Sequence, residues 1–274
     1  MLKTYILKKL KEWRLVYVIA HDVRRAALKE RMLYGFLLLA LLFVLMANVP
    51  FMVKDPKVFD NQPPEVAAVQ IGFVSINIFI LLIAIFISLT TLQNFLAKEK
   101  LALLLSKPVW RWQIIEGVIF GLYQMIFLNW FLLTAGVWLV VFSQTKSLSL
   151  YIWQGMSVTA LMAFFYVTLV VFFYCILPNI MAGLLTFFML IAGFGAGFAH
   201  DMFARASYPF FIQKSLILGL NVLPKINDLW GISMRSLKLF RINVHPAPII
   251  LHTILLIVVL NIFVSFKFRR FGRT

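Results

Sequence analysis

Apolar positions along this chain gather into six runs of about twenty residues, separated by short polar or proline-marked breaks. A helix rises about 1.5 Å per residue, so a run of that length matches the hydrocarbon thickness of a bilayer. The predicted spans run from Leu33 to Val53, Val69 to Leu96, Ile114 to Phe142, Ile152 to Leu177, Ile180 to Ala199 and Ile249 to Phe266. Prolines mark their edges. Pro50 and Pro56 are expected to close the first span, Pro63 and Pro64 precede the second, and Pro246 and Pro248 open the sixth. Pro178-Asn179 breaks the fourth from the fifth, because proline disfavours helix at the residue before it. The predicted fold is an all-α membrane protein of six transmembrane helices, with an amphipathic segment at 1–32, the membrane domain at 33–266 and a basic tail at 267–274. The first apolar run follows 32 residues and lacks a small-residue cleavage site, so it reads as a span and not as a signal peptide.

Ahead of the first span, Leu2, Ile6, Leu10, Trp13 and Tyr17 recur at helical spacing and share one face, while Lys8, Lys9, Lys11 and Arg14 fall mainly elsewhere. Such a helix is suited to the headgroup region, with aromatics toward the acyl chains and cations toward anionic lipid. It serves either as a surface wall for a partner protein or as an anchor and topology signal.

Composition narrows the function. The chain is 62% hydrophobic and 13% charged, with a mean hydropathy of +0.94. A soluble domain carries about a quarter charged residues, so a soluble enzyme or binding module is excluded. The net charge of +16 would suit nucleic acid in another chain, but here Lys and Arg sit between and beside the apolar runs, as the positive-inside rule requires. No nucleic-acid partner is expected. Residues 1–32 hold nine Lys and Arg, the connector at 97–113 holds four and the tail four, against nine on the other side, six of them in the long loop 201–247. Both termini are therefore expected in the cytoplasm. The single cysteine, Cys175, leaves no disulfide framework within one chain, and no metal site is expected. Within the loop 201–247, residues 208–223 are apolar but too short to cross; they read as a re-entrant segment or a packed cap.

The most informative stretch is the connector between the second and third spans. Lys98, Glu99 and Lys100 precede Leu101, Leu103, Leu104 and Leu105; Ser106-Lys107-Pro108 interrupts; Trp110, Arg111 and Trp112 follow; Glu116-Gly117 leads into the third span. A short amphipathic helix between two breaks, facing the cytoplasm, is shaped to place leucines in the groove of a soluble partner.

This order, with Glu99, Leu104, Leu105, Ser106, Pro108, Arg111 and Gly117 in place, resembles the membrane subunits of type-2 ATP-binding-cassette (ABC) exporters. The resemblance is sharp over residues 97–121 and extends in plan over nearly the whole chain. It implies a permease subunit that is not itself an enzyme, in a homodimer or a heterodimer with a similar permease. Two cytoplasmic ABC ATPase subunits would carry the ATP and Mg, and a coupling helix at the connector would take their force. It also implies a bacterial inner membrane. The chain has no G-x-x-x-x-G-K-[ST] loop of its own, so no cofactor is expected in it.

The predicted spans hold almost no charge, which fits a machine powered from outside the bilayer better than an ion-coupled carrier. Asn77, Ala84, Ser88 and Thr91 share a face of the second span. That face lines a dimer interface or substrate path, or it makes ordinary bonds between spans. Gly193, Gly195 and Gly197 permit close helix approach or a bend. Two alternatives stand beside the permease: a membrane-embedded lipid-modifying enzyme, for which His200, Asp201 and His245 are the only loose candidates, and an ABC-type scaffold that supports a periplasmic maturation step.

Overall fold

Proline placement decides where several of the helices begin. The computed structural model describes residues 2–53, 63–96, 110–147, 149–205, 226–236 and 246–270, and every regular element among them is helical. In chain order these are α1 (Leu2–Ala27), α2 (Arg31–Leu45), a 3-10 turn at Met46–Asn48, α3 (Val49–Met52), α4 (Pro64–Phe95), α5 (Arg111–Thr145), α6 (Tyr151–Tyr174), α7 (Asn179–Arg205), α8 (Ile226–Ser236) and α9 (Pro246–Arg270). α4 starts at Pro64 and α9 at Pro246, where a missing N–H costs nothing because the first turn has no partner for it. α4 thus begins five residues ahead of the expected Val69. The gain brings Glu65 into its first turn, where a carboxylate meets the positive end of the helix dipole.

The first span ends within one residue of its expected limit, at Met52 against Val53, but by another route. Pro50 does not close it. The chain tightens into the 3-10 turn at Met46–Asn48, and Pro50 then opens the last helical turn, α3, in the position proline tolerates.

Five helical stretches are long and apolar enough to cross a membrane: Arg31–Met52, Pro64–Phe95, Arg111–Thr145, Tyr151–Tyr174 and Pro246–Phe268. The chain is an all-helical, multi-pass membrane protein. The described apolar part of α7, Asn179–Gly193, is shorter than a span.

α4 and α6 form the centre. In their apolar windows 67% and 78% of residues are buried, against 22% in α2 and α9, which stand at the rim. The central pair is parallel and tied at both ends. Ser149 and Tyr151 donate to Glu65 Oε1 at 3.1 and 2.7 Å, and Asn179 Nδ2 donates to Gln93 Oε1 at 2.7 Å. These ties join residues 84 to 86 apart, so the pairing keeps one register along its length.

α5 packs beside this pair through close contacts. A Cβ on Gly72 of α4 would stand 2.6 Å from Val137 Cγ2, so only glycine admits this approach. Trp130 is buried between Phe127 and Trp153, and its Nε1 donates to the Met156 carbonyl at 2.7 Å. Trp130→Phe keeps the ring and loses the bond. It is expected to cost about 1–2 kcal/mol, read as a lower thermal midpoint in detergent. α5 ends at Lys146, a non-glycine residue in the left-handed region (φ 56°, ψ 16°), whose N–H returns to the Phe142 carbonyl at 2.9 Å.

Candidate functional site

The connector that carries the sequence resemblance, with Glu99, Leu101, Leu104, Leu105, Ser106 and Pro108, lies outside the described residues. Its two mounts, the end of α4 and the start of α5, are described, and both are anchored to other parts of the fold.

At the α4 mount, Asn94 Nδ2 donates to Glu30 Oε1 at 2.7 Å. Glu30 stands at the corner between α1 and α2 as the N-cap of α2. Tyr34 closes the same corner by donating to the Leu28 carbonyl at 2.6 Å. One residue before Asn94, Gln93 holds Asn179 at the start of α7. The last turn of α4 therefore reaches the α1–α2 corner and α7 through three amides and one carboxylate.

At the α5 mount, Trp110 is the N-cap. Its N–H donates to Gln113 Oε1 at 2.9 Å, and the Gln113 N–H donates to the Trp110 carbonyl at 2.9 Å. Gln113 is fully buried, which fixes the direction in which the chain enters the helix. Arg111 follows as the first helical residue, partly buried.

Next comes the bed for α1. Gly117 and Gly121 are four apart on one face of α5, the small-xxx-small spacing that lets two backbones approach. α1 fills it with the buried stripe Val16, Ile19, Ala20, Val23 and Ala27. A Cβ on Gly117 would lie 2.7 Å from Ile19 Cβ, and one on Gly121 would lie 2.6 Å from the Ala20 carbonyl oxygen. The face that seats α1 is thus not the aromatic one picked out from the sequence. Trp13 and Tyr17 are 58% and 56% exposed, beside the stripe. The side chains of Ile6 and Leu10 lie outside those described.

The same part of α5 reaches α9 and α6. Ser265 of α9 donates to Glu116 Oε1. Two turns deeper, Asn261 Nδ2 donates to Tyr123 Oη at 3.3 Å, and Tyr123 shares a hydrogen bond with Thr168 of α6. Thr168 also donates to the Phe164 carbonyl at 2.9 Å. Glu116 and Tyr123 are seven apart on α5, and Ser265 and Asn261 are four apart on α9, so the bonds form a ladder between two helix faces. Glu116 stands at the edge of the third predicted span, and its partner on α9 is set by tertiary packing.

Asn77, Ser88 and Thr91 are fully buried within the protomer. Asn77 Nδ2 donates to the Phe73 carbonyl of its own helix at 2.9 Å, while Asn77 Oδ1, Ser88 Oγ and Thr91 Oγ1 have no hydrogen-bond partner among the described residues. This face is closed against the chain's own helices and presents no surface to a second copy. The bonds between spans that the sequence also allowed for it are not formed.

Of the loop 201–247, the described residues are the end of α7 and α8. Trp230 packs edge-on against Phe73 of α4 at 5.0 Å, and Ser233 donates to the Gly155 carbonyl of α6. The apolar stretch 208–223, His245 and the side chains of His200 and Asp201 lie outside the description. Among the described residues no three His, Cys, Asp or Glu side chains stand together as a metal-binding group.

A short connector hangs from two helix ends, and each end is bonded to elements that lead elsewhere in the bundle. No family model matches the chain, and no curated protein matches it.

Proposed function

We propose that this chain is the membrane subunit of an ATP-driven, exporter-like complex of the ABC type. In this reading α7 is the remaining crossing, which makes six spans with both termini in the cytoplasm of a bacterial cell. The connector at 97–113 is the coupling helix. Leu101, Leu104 and Leu105 enter a groove on a separate ATPase subunit that binds ATP and Mg. Glu99, Ser106, Pro108 and Arg111 set the shape and ends of the knob. The working unit holds two permease chains, identical or similar, and two ATPases, with α1 lying at the lipid surface.

The observation that carries the reading is the anchoring of both connector mounts. A push on the connector meets the α1–α2 corner and α7 through Asn94 and Gln93. It meets α1 and α9 through Gly117, Gly121 and Glu116. Force applied at one short segment is thereby delivered to most of the bundle.

The test is co-purification. The chain, extracted in mild detergent from its native membrane, is expected to bring down an ATPase whose turnover depends on it. Sealed vesicles containing the pair are expected to move substrate only with ATP. ATPase coupling without any movement would favour the scaffold role, and turnover of a lipid by the chain alone would favour the enzyme.

A further inference from the structure

Among the described residues, buried polar atoms without partners occur on α4, α5, α6, α7 and α9. Five of them, Asn77 Oδ1, Ser88 Oγ and Thr91 Oγ1 on α4 and Thr159 Oγ1 and Tyr166 Oη on α6, belong to the central pair. All five residues are 1% exposed or less.

Helix geometry places them on one seam. At about 100° per residue, Asn77, Ser88 and Thr91 fall within a narrow arc of α4. Phe79 and Phe86, which touch Phe43 and Phe36 of α2, lie on the opposite side. Gly72 and Leu89 turn other sides of α4 to α5 and α7. The arc that remains carries Phe73 as well, which meets Trp230 of α8, and we assign it to α6 together with α8. On α6, Thr159 and Tyr166 are seven apart, two turns along one face. Trp153, Thr168 and Phe172 turn the other sides of α6 to α5 and α9. By the register of 86 residues set by the end ties, Asn77 stands level with Ala163, about one turn from both Thr159 and Tyr166.

Buried hydroxyls in this bundle do have a standard way to satisfy themselves. Ser75, Thr186 and Thr253 each donate to the carbonyl four residues earlier. Ser88, Thr91 and Thr159 do not. An unpaired buried polar atom bears its desolvation cost without return, and such groups call for an unseen partner or a second state. Valine in their places would pack without that cost.

The two ends of the seam are stopped. At one end α8 sits across it, with Trp230 on Phe73 and Ser233 on the Gly155 carbonyl. At the other, the bond between Gln93 and Asn179 ties α4 to the turn that follows α6.

We propose that the α4–α6 seam is a closed passage that accepts an uncharged, hydrogen-bonding group of the transported molecule, with α8 as the plug at its far end. The five groups offer hydroxyl and amide chemistry, and neither α4 beyond Glu65 nor α6 carries a charged residue. The ligand part they would take is therefore a hydroxyl- or amide-bearing one, not an ion. The energy that parts the helices rests on the exporter reading; the chemistry of the seam does not.

The test uses Ser88→Cys and Thr159→Cys, separately, in a Cys175→Ala chain. The membrane fragments expose both faces and retain the chain's native partners. Ser147→Cys serves as an exposed control. Two methanethiosulfonate reagents are compared, one with a hydroxyethyl group and one with a sulfonate. Both cysteines are expected to react slowly at rest and severalfold faster with ATP and Mg, with the hydroxyethyl reagent severalfold ahead of the sulfonate. Adding Trp230→Ala is expected to raise the resting rate severalfold. Labelling that rises with Trp230→Ala but ignores ATP would support the passage and count against the exporter reading. Equal rates for the two reagents would overturn the uncharged specificity. If neither position reacts in any state while the control does, the passage itself is overturned.

Discussion

Replacing Gly121 by leucine is expected to unseat α1. The first atom of the new side chain would stand 2.6 Å from the Ala20 carbonyl oxygen and 2.8 Å from Val23 Cβ. A flexible side chain can swing away from such a contact, but a helix backbone cannot, so the whole of α1 has to move. Overpacking typically costs about 1–3 kcal/mol, and a clash with main chain belongs at the top of that range. Limited trypsin digestion reads the result. Arg14, Arg24 and Arg25 of α1 should be cut much faster than in the parent, and the thermal midpoint in detergent should fall. Gly35→Ala in α2 is the control, because nothing lies within 4 Å of its added Cβ. It should be neutral or raise stability by up to about 1 kcal/mol through helix propensity. Unchanged trypsin protection in Gly121→Leu would mean that α1 does not depend on this bed.

The pair Leu104→Asp and Leu105→Asp is expected to abolish capture of the ATPase. Burying a carboxylate in an apolar groove costs far more than the lost leucine contact, because the charge has no partner there. A deficit above about 3 kcal/mol is a loss of more than about a hundredfold in affinity. Yield and membrane insertion should not change, since the connector lies between the apolar runs. Gly121→Leu should behave differently, because it damages a mount and leaves the docking leucines in place. There the ATPase is still bound, while its turnover no longer follows this chain. Full association in the aspartate variant would remove the docking role from these leucines.

Much of the helical plan was legible in the sequence because the bilayer imposes it. Long apolar runs and prolines gave every crossing helix its existence and most of its limits, as in α6, expected from Ile152 and found from Tyr151. The errors have physical causes. Pro50 opens the last turn of the first span and does not end it, because a proline in the first positions of a turn is harmless; the span still ends within one residue of the expected Val53. On α1, Trp13 and Tyr17 lie beside the packing stripe, on the face whose spacing suits lipid. The packing stripe is instead built from smaller aliphatic residues and alanines, because its counterpart on α5 is two glycines and close approach excludes bulk. The spacing of Gly117 and Gly121 held that information, but not the identity of the helix that would use it. Likewise Asn77, Ser88 and Thr91 share one face by their spacing, but which helix stands level with Asn77 comes only from the register between α4 and α6. Hydropathy fixes which segments enter a membrane, and it is silent on which of them touch.

The corner at Lys146 has a mechanical consequence. A lysine accepts the left-handed backbone only at a cost of about 1–2 kcal/mol, and just five residues separate the end of α5 from the start of α6. So short a link keeps the end of α5 close to the start of α6. A stroke that draws the start of α6 away from α4 is expected to pull on the end of α5, the helix whose other end holds α1 in its glycine bed.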